Sequence, residues 1–252
     1  NNDKEKSILK SQKDIFYKSG KVYEHGKKMS NNEYYLRHFK FISSPNGNCF
    51  VAYGGGSGVG ILDKSIYFYG KDGKIIKELN YGYAGGVIGK GASKSDLVVI
   101  LYENVEKGKV VLVAFKFDGT ELWKREFIGG RLSGGSSNTL SVSSTGNYIV
   151  FYLYPDSTYT GSTYILDKNG RTLKEFNSRY ESKISEDESI IGLYFSKSVI
   201  IFNTLNNMIE FEKMFSGDPV YLIEDITDNG NKILISEVKS DGGAGYIDSL
   251  LI

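Results

Sequence analysis

Glu181, Glu224 and Asp225 are the residues whose type and spacing come nearest to supporting catalysis in this 252-residue chain. A glycosidase needs two carboxyl groups about 5–9.5 Å apart, flanking one bond. Glu181 opens one strand-like segment, and Glu224-Asp225 lies in the corresponding segment about 40 residues later, so side-by-side repeats would bring these carboxylates toward one axis. Asp63, Glu103, Asp156 and Asp218 lie in connecting segments that could reach the same place. Nucleophilic and metal chemistry find less material. His25 and His38 are the only histidines and Cys49 the only cysteine, and neither histidine has the companion ligands of a transition-metal set. Arg37-His38 is a candidate anion contact. No cofactor and no metal are expected.

Binding has more support than catalysis. The segments between the strand-like runs collect aromatic and arginine side chains, of which Tyr53, Tyr81, Tyr83, Arg131, Tyr154, Tyr159, Arg179 and Tyr180 are the candidate ligand-binding residues. Tyrosine offers a flat amphipathic ring suited to sugars or protein surfaces, and arginine can orient anionic groups. The run Tyr53-Gly54-Gly55-Gly56-Ser57-Gly58-Val59-Gly60 looks superficially like a phosphate-binding loop. It joins two strands and leads into no helix, so the helix N-terminus on which such loops rely is missing.

The elements that carry these residues recur. Lys71-Asp72-Gly73-Lys74-Ile75-Ile76, Asp118-Gly119-Thr120-Glu121-Leu122-Trp123 and Lys168-Asn169-Gly170-Arg171-Thr172-Leu173 are versions of one hairpin, each turning through Asp-Gly or Asn-Gly. Upstream of each lies a polar turn followed by an apolar run, as in Asn46-Gly47-Asn48 before Cys49–Tyr53 and Gly146-Asn147 before Tyr148–Tyr152. The last polar residues of the five turns, Asn48, Asp96, Asn147, Ser189 and Asn231, are separated by 48, 51, 42 and 42 residues. That period suits propeller blades of four strands, A to D. Strand B reads as apolar on both faces. Strand D carries one apolar residue (Ile76, Leu122, Leu173, Ile209) among lysines and glutamates, which suits a charged outer edge. Gly85, Gly86, Gly89 and Gly91 fall on an innermost strand, where close packing explains them.

The expected fold is therefore an all-β propeller of five four-stranded blades, residues 13–252 forming one domain after a disordered segment 1–12. An N-terminal strand within 14–24 would complete the last blade and close the ring. Six blades or an incomplete ring is the alternative. Residues 1–40 carry 10 Lys/Arg against 5 Asp/Glu and residues 181–252 carry 5 against 13, so the two ends would attract. In this architecture the A/B and C/D turns form a plain face, and the D-to-A and B-to-C loops form the face where a ligand would bind.

The hairpin Phe117-Asp118-Gly119-Thr120-Glu121-Leu122-Trp123-Lys124, preceded by Lys109–Phe115, resembles the repeat of the quinoprotein-like and WD-repeat-like propellers. The resemblance implies the fold and says little of activity, because such propellers include dehydrogenases, scaffolds and binding modules. The Trp of the quinoprotein motif occurs in one repeat only, at Trp123, where packing between blades is the expected role. The adjacent cysteine pair of those dehydrogenases is impossible with one Cys, and no Gly-His or Trp-Asp dipeptide of WD repeats occurs.

With 31 basic and 30 acidic residues the chain lacks the field of a nonspecific nucleic-acid binder. No apolar stretch approaches the length of a membrane span. The polar opening Asn1–Ser7 suits a chain from which an export signal has been removed, so an extracytoplasmic location with a lipid anchor upstream is expected. The expected function is a noncatalytic binding or assembly module that engages a protein or glycan through its Tyr/Gly-rich loop face. The alternative is a glycan-active hydrolase or lyase using Glu181 or Glu224.

Overall fold

The six-residue A/B turn is the unit from which the fold is built. In Ser44–Cys49, Ser143–Tyr148, Ser185–Ile190 and Thr227–Lys232 the first residue's amide donates to the carbonyl of the last, and the fourth residue's amide donates to the carbonyl of the first. The first residue's hydroxyl accepts the amide of the last in each turn, at 3.0 Å. The fourth position has positive φ: Gly47 72°, Gly146 82°, Glu188 63° and Gly230 68°. Glycine occupies this left-handed conformation without a Cβ penalty. The C/D turns repeat a second motif, with Gly73, Gly119 and Gly170 at φ 73°, 83° and 78°.

These turns join strands into consecutive antiparallel meanders. The structure, a computed structural model, describes Ser7, Lys10 and residues 39–54, 65–80, 84–132, 139–155, 161–215, 220–230, 232–238 and 247–251. The chain divides into two compact units, residues 1–136 and 137–252.

The first unit holds two sheets. One runs β1 (Phe39–Ser43), β2 (Phe50–Gly54), β3 (Ser65–Tyr69), β4 (Ile75–Asn80). The next runs β5 (Ala84–Gly91), β6 (Val98–Asn104), β7 (Lys109–Phe115), β8 (Glu121–Ile128), and a two-residue strand β9 (Gly130–Arg131) follows it. Their shared core joins Val51, Tyr53, Ile66 and Phe68 to Val98, Ile100, Val111, Val113 and Phe115. The middle strands β2, β3, β6 and β7 supply most of it, as strands covered on both faces should.

The second unit holds three sheets. The first is β10 (Leu140–Val142), β11 (Tyr148–Pro155), β12 (Ser162–Asp167), β13 (Thr172–Phe176). The second is β14 (Glu181–Ile184), β15 (Ile190–Phe195), β16 (Ser198–Asn203), β17 (Met208–Met214). The third is β18 (Val220–Ile226), β19 (Lys232–Val238), β20 (Ile247–Leu251). One core, with Val150, Ile165, Ile191, Leu193 and Phe202, lies between the first two sheets, and another, with Ile190, Ile201, Ile223, Ile233 and Ile235, lies between the last two. The five meanders define an all-β propeller of about five blades. Closure by a strand within 14–24, and the proposed disordered segment 1–12, lie outside the described residues apart from Ser7 and Lys10.

The fourth strand of each four-stranded meander carries a β-bulge just after its turn, a repeat feature that the apolar pattern conceals. The pairing jumps over Ile76 in β4, Leu122 in β8, Leu173 in β13 and Glu210 in β17. A bulge re-aims the extra side chain. Ile76 and Leu122 consequently turn outward and are exposed, while Ile75, Lys77 and Leu79 form the half-buried row of β4. Lys77 lays its stem across Phe115, 5.5 Å from ammonium to ring centroid, and donates to the Gly119 carbonyl at 2.6 Å. Trp123 is half-buried on β8 opposite Ala114.

Candidate functional site

The loop ends of the second unit gather three of the ligand-binding candidates, Tyr154, Arg179 and Tyr180, into one cluster with Glu181. Arg179 lies in the short connection between β13 and β14. Its guanidinium stacks on three rings, with its central carbon 4.7 Å from the Tyr152 centroid, 4.9 Å from Phe195 and 5.5 Å from Tyr154. One terminal nitrogen donates to the Tyr154 hydroxyl, and the other donates to Glu181 Oε1 at 3.4 Å. Strand periodicity explains the set. Tyr152 and Tyr154 sit two residues apart near the end of β11, Phe195 ends β15, and Glu181 begins β14 opposite Tyr194. Arginine is suited to this place because its planar cation stacks and hydrogen-bonds at once.

Tyr180 fixes the connection from below. Its amide donates to Thr163 Oγ1 at 2.8 Å, Thr163 Oγ1 donates to the Ser178 carbonyl at 2.8 Å, and the Tyr180 hydroxyl shares a hydrogen bond with Ser198 at 3.3 Å. Its ring meets Phe176 edge-on. Tyr180 is thus mostly buried and holds Arg179 in place rather than offering a surface. Phe195, 41% exposed, is the apolar surface of the cluster.

Two carboxylates flank Tyr194. Burial, the Glu181 charge, a hydrogen bond to Glu181 and the Glu224 charge together push the Tyr194 phenol up to about 12. Glu224 is the bulged residue of β18, between Ile223 and Asp225; it accepts from Ser236 Oγ at 2.6 Å, and its carbonyl accepts from Lys183. Glu181, by charge and a hydrogen bond, and Glu224, by charge, thus both act on one phenol.

Tyr53 and Arg131 are the other candidates among the described residues. Tyr53 is 3% exposed in the first unit's core, its hydroxyl donating to the Gly89 carbonyl at 3.2 Å, and burial raises its phenol to about 12. It presents no surface to a ligand, because β2 is covered on both faces. Arg131 is exposed on β9 in the first unit, next to Leu132, whose amide donates to Glu103 at 3.4 Å. Tyr81, Tyr83 and Tyr159, the histidines and the glycine run from Gly55 lie outside the described residues. Tyr152, Tyr194 and Phe195 were not among the sequence candidates. Their signal was present: the last residues of an apolar B strand reach the loop face, and in both blades those residues are aromatic.

No protein-family model and no curated protein sequence matches the chain. Among solved structures it is similar to the β-propeller domain of Cps50 (Swd1) from Myceliophteria thermophila, at 10% identity and a TM-score of 0.46, covering 84% of this chain and 71% of that one. It is also similar to hydrazine synthase of Kuenenia stuttgartiensis, at 13% identity and a TM-score of 0.48, covering 84% of this chain. The chain spans 65% of the length of that enzyme chain, less than two thirds. The protein is a β-propeller module, a class that its repeated turns and meander sheets define. Among the described residues no helix is long and apolar enough to cross a membrane.

Proposed function

We propose that this propeller is a binding module that recognises a protein partner through the loop face of its second unit, with Phe195 as the exposed anchor and Arg179, Tyr154 and Glu181 as its support. The observation that carries this reading is the Arg179 stack. A guanidinium held by three rings, a hydroxyl and a carboxylate is rigid before any ligand arrives, and rigid aromatic-arginine clusters are where binding energy concentrates at protein interfaces. Two of the three guanidinium nitrogens are already engaged, which favours contact with ring faces over capture of an anion. Glycan stacking on Phe195 is the competing outcome.

Selection of a random peptide library on the native protein, with glycans arrayed in parallel, tests the assignment. Enriched peptides should lose about 30-fold in affinity for Phe195→Glu, the scale of an interface anchor worth about 2 kcal/mol. Equal binding to native protein and variant would remove the loop cluster from the function. Glycan binding lost in the same variant, with no peptide enriched, would change the partner class.

A second reading, a glycan-active hydrolase, is favoured by one observation, the convergence of Glu181 and Glu224 on Tyr194. It predicts release of reducing ends from a polysaccharide panel and a fall of at least about 100-fold in Glu224→Gln, the scale of removing a general acid or base. Activity that survives this substitution would exclude the pair.

A further inference from the structure

The opposite face of the second unit, where only tight turns were expected, holds a groove of about 400 Å³. Ile190 and Ile201 lie buried beneath its floor beside the polar Ser189, Asn203 and Asn229, and Leu205, 82% exposed, stands at its edge. Asp187 from the A/B turn and Glu210 from β17 supply its charge, and among the described residues its lining contains no Lys, Arg or His. Gly230, from the next blade's turn, closes one wall. A Cβ there would come within 2.6 Å of Ile190 Cγ1 and 2.8 Å of Ser189 Oγ, so the wall lies as near as backbone allows.

Both carboxylates are held in place. Asp187 accepts from the Ser189 amide, Ser185 Oγ and Ser189 Oγ, all on Oδ1, which keeps its carboxyl below the usual range. Glu210 accepts from Asn203 Nδ2 at 2.6 Å. Glu210 is also the bulged residue of β17: Ile209 pairs with Phe202 and Phe211 with Ile201, and Glu210 lies between. In the other three outer strands the bulge carries Ile76, Leu122 or Leu173. The repeat thus has an acid in this blade where its other copies have an aliphatic residue, beside a groove that the acid lines.

We propose that this groove docks a basic segment of a partner protein, one Lys or Arg laying its stem along Leu205 and over Ile190 with its cation between Asp187 and Glu210. Charge complementarity selects the occupant. The groove is acidic and lies in a stretch, residues 181–252, with 13 acidic and 5 basic residues. Aliphatic contact selects a side chain over a bare ion, because a long cationic side chain buries its methylenes while its head stays paired. Among the described residues no cluster of three or more His, Cys, Asp or Glu is placed to hold a metal.

The test uses a dye-labelled octapeptide, Gly-Ala-Leu-Arg-Ala-Lys-Ala-Gly, and its counterpart with both basic residues replaced by Gln. Binding is followed by anisotropy and by methyl NMR of the native chain. The basic peptide should shift the methyls of Ile190, Ile201 and Leu205, and the Gln peptide should bind at least about tenfold more weakly, the cost of losing one paired charge. Glu210→Lys should weaken the basic peptide by at least about tenfold and Leu205→Ser by about threefold. Phe195→Glu should leave its affinity unchanged, which separates this groove from the loop face. No binding to the native chain, equal binding of both peptides, an affinity unaltered in both groove variants, or displacement of the peptide by calcium chloride at constant ionic strength would each overturn the assignment.

Discussion

Gly91→Ala lowers stability by about 2–3 kcal/mol in urea denaturation, the scale of an overpacked core, and Ile42→Val does not restore it. The reason lies between the first two sheets. A Cβ at Gly91 would stand 2.6 Å from Ile42 Cγ2 and 3.2 Å from Phe117 Cζ, with the Leu97 carbonyl at 3.7 Å. The Cγ2 methyl is fixed to the branched Cβ, so relief requires β1 to move away from β5. Gly89 faces the same neighbour through a different atom. Its Cβ would stand 2.7 Å from Ile42 Cδ1 and 2.9 Å from both Ile100 Cδ1 and Tyr53 Cε1.

Ile42→Val removes Cδ1 and keeps a methyl at the Cγ2 position. It should therefore recover part of the loss in Gly89→Ala and none in Gly91→Ala, after its own cost of about 1 kcal/mol is subtracted. The double-mutant cycle distinguishes atomic clash from a general intolerance of strands to substitution. In a strand free to accept it, Gly→Ala would stabilise by up to about 1 kcal/mol through the unfolded chain. Equal coupling of Ile42→Val to both substitutions would show that the two sheets do not meet through these atoms.

The same glycines show what a reader of the sequence can recover. Period and turn chemistry were legible because each copy must make the same reversal. Asn-Gly and Asp-Gly announce positive φ, and Gly47, Gly73, Gly119, Gly170 and Gly230 adopt it, as does Gly146 after Thr145. The inner placement of Gly89 and Gly91 followed from their repeat position. The bulges were not legible, because a bulge shifts pairing by one residue without altering composition; Leu122 is the bulged residue of its strand and stands outward. Site residues were legible in part. Arg179 and Tyr154 were visible as aromatic and cationic loop residues, but Tyr53 carries the same signal and is buried. What separates them is distance from the A/B turn: Tyr53 is the fifth residue counted from Cys49, level with the buried Tyr152, whereas Tyr154 is the seventh counted from Tyr148. Phe195 completes a run of core residues in the sequence, and only its register opposite Ser198 brings it to the surface.

Glu188 is the position where local propensity and tertiary need conflict, and its replacement should have the other large effect. In three equivalent turns glycine takes the left-handed residue, whereas here a glutamate does so at φ 63°. That conformation costs a non-glycine residue about 1–2 kcal/mol. The compensation comes from the preceding blade. Glu188, 6% exposed, accepts from the Thr145 amide, from Thr145 Oγ1 at 2.7 Å, from Asn147 Nδ2 at 3.1 Å and from Ser144 Oγ at 3.2 Å. One carboxylate thereby ties together the A/B turns of two blades. Glu188→Ala should cost about 3 kcal/mol, since it strands several donors and keeps the strained backbone. Glu188→Gly should cost about 1 kcal/mol less, because it relieves φ while losing the same bonds.

The pH dependence identifies the charge. Burial alone would raise the Glu188 carboxyl, but the Thr145 and Asn147 donors outweigh it and hold the carboxyl below its ordinary value of 4.5. A group depressed on folding contributes stability that is fully present above the unfolded pKa and is lost as pH falls through the folded one. The deficit of Glu188→Gln relative to the native chain should therefore be complete at pH 7 and shrink progressively below about pH 4.5. A deficit independent of pH would mean that shape rather than charge holds the two turns together.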